Sequence, residues 1–125
     1  MHRDSSVIFG GVMVVLGYDL VASLASRASD TNYGLFSIGS FFIYTLFGFL
    51  LGRTGKWWFG GLCGLLLGFA DSTLGWLISW YIGPGKPPVE MNVVLIGITI
   101  VLVTLTAGIF GLVGGAVSLV RKSNA

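Results

Sequence analysis

Four apolar runs dominate this chain, at residues 7–24, 35–51, 57–82 and 93–120. Crossing a hydrocarbon core of about 30 Å takes about 20 helical residues, and in lipid each segment must satisfy its own backbone polar groups, so each run is expected as a membrane-spanning helix. The breaks between them are short. "SRASDTNYG" at 26–34 interrupts the first pair with small polar residues, and "GRTGK" at 52–56 is a tight turn with two glycines. "GPGKPPVEMN" at 83–92 cannot continue a helix, because its prolines lack donors and clash with the preceding turn. The expected fold is therefore an all-α integral membrane protein. It is a single four-transmembrane-helix bundle covering residues 1–125, with no soluble domain.

Composition agrees. Only 10% of residues are charged and 54% are hydrophobic, against about 25% charged in soluble domains, and the mean hydropathy is +0.91. The 20 glycines lie inside apolar runs without a triplet period, where they favour close helix packing in lipid. The net charge of +2 is small and scattered, so nucleic acid is not an expected partner. A single cysteine, Cys63, excludes an intrachain disulfide and is expected as packing. Arg3 and the small residues "SLA" at 23–25 imitate a signal peptide, but Asp19 inside the apolar stretch, and Met1 at its start, argue for a retained span.

Basic residues set the expected orientation. Arg3, Arg53, Lys56, Arg121 and Lys122 fall on one side, whereas only Arg27 and Lys86 fall on the other, accompanied by Asp30 and Glu90. By the positive-inside rule both termini are cytoplasmic, in a cell (inner or plasma) membrane. Trp57 and Trp58 then mark the inner boundary, with Tyr33, Trp80 and Tyr81 near the outer one. "GGVMVVLGYD" at 10–19 and "GGLCGLLLGFAD" at 60–71 share a glycine pair, an apolar stretch and a terminal glycine, aromatic and aspartate. A tandem two-helix repeat, with parallel first and third spans, would explain the likeness.

The carboxylates are the functional signal. At 1.5 Å per residue, Asp19 lies about 18 Å and Asp71 about 21 Å from the inner ends of their spans, and Tyr44 about 13 to 14 Å from the outer end of the second. Thr104 of the fourth span falls near the same level, so four polar side chains share one layer. With a uniform rotation of about 100° per residue, Gly60, Gly64, Gly68, Asp71 and Gly75 share one face, so Asp71 faces protein. Ser23 and Ser26 continue the face of Asp19, while Ser37 and Ser40 continue that of Tyr44. These serines are expected to line an approach from outside, closed inward by glycine and aliphatic packing.

A carboxylate at the centre of a membrane helix costs about 2.5 to 3.5 kcal/mol on insertion scales, and an interhelical polar contact returns about 0.6. Stability alone is a poor reason for two of them. No Lys, Arg or His lies within a span, so the matching ligand is a cation or a proton, and an anion pathway is disfavoured. An enzyme is not expected, nor a cofactor or a metal centre: there is no intramembrane His, Ser72 reads as a packing hydroxyl, and His2 as a solvated terminal residue. The leading expectation is a cation- or proton-linked transporter or channel-type protein using Asp19, Asp71 and Tyr44. The alternative is a structural or assembly subunit whose aspartates lock helix register. Gly48 with Gly52, the series Gly60, Gly64, Gly68, and Ala107 with Gly111 and Gly115 form small-residue faces. They are more than one bundle obviously needs, so a homo-oligomer or docking to another membrane protein is expected.

Chain length and span count would suit the small multidrug transporters or the small fluoride channels, but the residues assign neither. The first-span glutamate of the former is matched only by Asp19 in another setting, and "GFADSTLGW" stands where the latter carry a Thr-Thr-Phe-Ser type motif. The charge bias also opposes a dual-topology dimer.

Overall fold

The computed structural model describes residues 2–82 and 92–125, and for Tyr33 the backbone alone. The turn expected over 83–92 lies outside the described residues except for Asn92. So do Lys86, Glu90 and the Tyr33 ring.

Among the described residues the protein is helical without strands, and four helices are long and apolar enough to cross a membrane. Helix α1 (His2–Ser29) extends beyond the apolar run 7–24 at both ends. It closes where Asp30 takes a left-handed conformation, φ 53°, and the Thr31 N–H donates to Ser26 O at 3.2 Å. Asn32 then accepts from the Gly34 N–H and starts a short 3₁₀ turn, Tyr33–Phe36, that leads into α2 (Ser37–Thr54). Helix α3 (Phe59–Ala70) passes through a π-helical turn, Asp71–Gly75, into α4 (Trp76–Ile82), and these three make one span. Asn92 caps α5 (Val93–Ser123) by accepting from the Leu95 N–H at 2.8 Å.

Packing is inverted relative to a soluble bundle. Asp19, Ser23, Ser26, Ser40, Ser72, Ser79 and Ser118 are buried, whereas Phe9, Ile38, Phe42 and Val93 are each at least two-thirds exposed. Lipid is as apolar as the side chains it meets, so helices associate here through small residues and close backbone approach. Helices α2, α3 and α5 meet along such a seam. A Cβ on Gly48 would lie 2.7 Å from the Gly111 Cα, one on Gly52 2.8 Å from the Gly115 Cα, and one on Gly64 2.9 Å from the Ala107 carbonyl carbon. Gly60, Gly68 and Gly115 are equally crowded, by Gly115 and Gly48, by Ala107 and Thr104, and by Trp57.

Helix α1 packs on α2, α3, the π turn and α4, on the side of the molecule away from α5. At one end of the bundle the Lys122 Nζ donates to the carbonyls of Gly52 and Gly55, at 3.3 and 3.4 Å, and Thr54 donates to Asp4 at 2.8 Å. These bonds satisfy orphaned carbonyls at the end of α2 and tie the termini to the 52–58 turn.

Candidate functional site

The π turn positions the site. A π turn inserts one residue into the helical ladder, so whatever follows is rotated by about 100° from the phase of an uninterrupted helix. Gly60, Gly64 and Gly68 face α5, but beyond the insertion Gly75 faces α1. The shared face expected for Gly60, Gly64, Gly68, Asp71 and Gly75 is thus divided: the first three serve the glycine seam, Asp71 lines a cavity and Gly75 meets the Asp19 carboxylate. Thr73 Oγ1 and Ser72 Oγ donate to Phe69 O, at 2.6 and 3.3 Å, taking up a carbonyl at the point where the backbone ladder changes register.

Asp19 and Asp71 converge on Gly75. A Cβ at that position would lie less than 3.0 Å from both Asp19 Oδ2 and Asp71 Oδ1, so the two oxygens are no more than twice that distance apart. Glycine is what lets α1 and the π turn come this close. The Tyr44 hydroxyl of α2 donates to Asp71 Oδ2. Asp19 is 2% exposed and Tyr44 1%, while Asp71 is only partly buried.

A cavity of about 240 Å³ begins at this group and extends to Gly34 and Ser37 at the start of α2. Both carboxylates, Tyr44, Ser37 and Ser40 line it, and among the described residues no Lys, Arg or His does. Tyr18, Phe36, Phe41 and Trp76 supply aromatic walls, with Val103 of α5. Tyr18 spans from α1 to α2: its hydroxyl donates to Phe36 O at 2.6 Å and lies where a Cβ on Gly39 would stand. Phe41 stacks on Phe110, centroids 4.7 Å apart, and Trp76 on Trp80, 6.0 Å apart. Toward the end carrying the termini, Val15, Cys63, Leu67 and Ala107 are 0% exposed, so packed side chains close the cavity there.

Asp19, Asp71, Tyr44, Ser37 and Ser40 are thus brought together, and three other expected residues are not lining groups. Ser26 turns back to close its own helix, donating to Thr31 O. Ser23 is fully buried away from the cavity lining, and among the described residues its Oγ has no hydrogen-bond partner. Thr104 lies against Gly68, its Oγ1 likewise without a hydrogen bond, and Val103 reaches the cavity instead. The sequence does not single out these aromatic walls, because a ring inside an apolar run reads first as a packing or lipid-facing side chain. Tyr18 beside Asp19 and Trp76 beside Gly75 were the available signal.

Two carboxylates this close repel one another when both are ionised, and low polarity strengthens the repulsion. One proton or one cation between them removes it. Among the described residues no third His, Cys, Asp or Glu joins the pair, so the arrangement offers a single positive charge two carboxylates rather than a multidentate acidic cage.

No protein-family model, curated protein or solved structure matches the chain.

Proposed function

We propose that this protein is a cation- or proton-linked transporter or channel-type protein of a cell membrane. Asp19 and Asp71 form the binding pair, and Tyr44 holds Asp71 in place. The observation that carries the reading is the convergence of both carboxylates on Gly75 at the closed end of a cavity that no basic side chain lines among the described residues. Protonated carboxylates are tolerable in the closed bundle. A cation entering past Ser37 and Ser40 displaces the proton and favours a different helix packing.

Charge bias supports cytoplasmic termini, which would open the cavity to the outside. Parallel spans that each bring an aspartate to the site support a duplicated hairpin. Association with a second copy, or with another membrane protein, now has a narrower basis. The faces of Gly48, Gly52, Gly60, Gly64, Gly111 and Gly115 are engaged within the chain, leaving the outer side of α5, whose most apolar stretch is 11% buried. Crosslinking in native membranes that gives only monomer removes that part of the proposal.

The Tyr44–Asp71 hydrogen bond also favours a second reading, a structural or assembly subunit with no transport of its own. Asp71→Asn separates the two because it keeps shape and most hydrogen bonding while removing charge. In proteoliposomes with a pH-sensitive dye inside, the wild type is expected to move protons under a monovalent or organic cation gradient, and Asp71→Asn is expected to lose this with normal folding. Equal traces under every gradient sink the transport reading.

A further inference from the structure

Resting on the cation-site reading above, we propose that the guest is a small organic ammonium ion, held by Asp19 and Asp71 at the cavity's closed end and by Tyr18, Phe36, Phe41 and Trp76 around its apolar body.

Size is the first argument. A cavity of about 240 Å³ far exceeds what one dehydrated inorganic ion fills, given that a water molecule's share of the liquid is about 30 Å³. It falls below the roughly 300 Å³ at which drug-sized pockets begin, which limits the guest to a compact ion. Wall chemistry is the second. Inorganic cations exchange their hydration for a shell of oxygens, but Phe36, Phe41, Trp76 and Val103 present carbon to most of this cavity. Aromatic rings attract ammonium groups through their negative faces, more strongly where water is excluded, and trimethylammonium-type groups are bound in this way. Phe41 and Trp76 are also restrained by stacking on Phe110 and Trp80, which favours preorganised walls.

Charge is the third. With one proton retained by the pair, the site carries a single negative charge, which one ammonium neutralises. A second carboxylate allows proton and guest to exchange without leaving two bare anions in a low-dielectric site.

The test uses the full chain in lipid nanodiscs and radiolabelled tetraethylammonium as the probe. Saturable binding is expected to the wild type, lost in Asp71→Asn, and weakened about five- to thirtyfold in Trp76→Leu and in Phe41→Leu. Trp58→Leu, which alters a separate apolar groove between α3 and α5, is expected to bind like the wild type. Sodium and potassium chloride at matched ionic strength should compete poorly on the wild type itself, a measurement that needs no variant to fold. Asp71-dependent flux of protons or inorganic cations without tetraethylammonium binding overturns the organic class and leaves the cation site standing. Absence of any Asp71-dependent binding or flux overturns both. Tight binding that is indifferent to Trp76→Leu and Phe41→Leu, each shown folded by circular dichroism, overturns the aromatic enclosure.

Discussion

Gly75 separates site from scaffold at the scale of one side chain. Its neighbours at the would-be Cβ are side-chain oxygens of Asp19 and Asp71, whereas those of Gly64 are backbone atoms of Ala107 and Gly111. Carboxylates can swing aside and a helix backbone cannot. Gly75→Ala should therefore destabilise the fold by about 0.5 to 2.5 kcal/mol, the displaced carboxylate's hydrogen bond being partly offset by alanine's helix preference. Displacing a carboxylate from its charge-assisted hydrogen bond sacrifices about 1.5 to 3 kcal/mol, so cation-dependent proton flux in proteoliposomes should fall about tenfold or more. A folded Gly75→Ala protein with wild-type flux would mean that the two acids do not act together. At this scale the sequence was informative about Asp19, Asp71 and Tyr44, because a carboxylate in an apolar run is conspicuous and helical rise alone gives its depth. Phe41 was illegible, since nothing in its own position distinguishes a cavity wall from a lipid-facing ring, whereas Trp76 at least adjoins Gly75.

Helices α2, α3 and α5 approach along glycines whose hydrogens face a neighbouring backbone, and this seam leaves no room for a methyl group. Gly64→Ala should destabilise the bundle by about 1 to 3 kcal/mol through overpacking. Gly17→Ala and Gly97→Ala, where nothing lies within 4 Å of the added Cβ, should be neutral or stabilise by about 0.5 to 1 kcal/mol. Unfolding in mixed detergent micelles, followed by circular dichroism, measures all three, and equal stability for Gly64→Ala and Gly97→Ala would contradict the seam. The seam was readable as small residues at four-residue spacing. Its partners were not: spacing says that a face allows close approach but not whether another helix of the same chain takes it. The π turn was hidden for a related reason. Phase arguments assume uniform rotation, and "DSTLG" contains no proline to announce a break. An inserted residue becomes tolerable because Ser72 and Thr73 hydroxyls take up Phe69 O and because Gly75 accepts Asp19 at close quarters.

For the molecule as a whole, the number of spans was legible because apolar length is a direct consequence of bilayer thickness. How they surround a cavity was not, because that depends on α1 standing on the far side of α2 and α3 from α5. This arrangement makes access one-sided. Ser37 is exposed at the cavity's open end, whereas Cys63, the chain's only cysteine, is 0% exposed behind the carboxylates. A membrane-impermeant methanethiosulfonate reagent should leave the wild type unmodified, so the native protein serves as its own blank. Ser37→Cys should react, and only from the face opposite the termini, because α1 and α2 run antiparallel and the start of α2 lies at the end of the bundle away from residue 2. If the basic residues hold the termini in the cytoplasm, reaction occurs in right-side-out vesicles and not in inside-out ones. Modification from the terminal face would overturn the proposed access route, and modification from both faces would mean that the packing around Val15, Cys63 and Leu67 does not close the cavity. Ser37 does not touch the carboxylate pair, so the accessibility pattern should persist in Asp71→Asn even when flux is lost. That persistence distinguishes an inactive but correctly folded site from a bundle that has come apart.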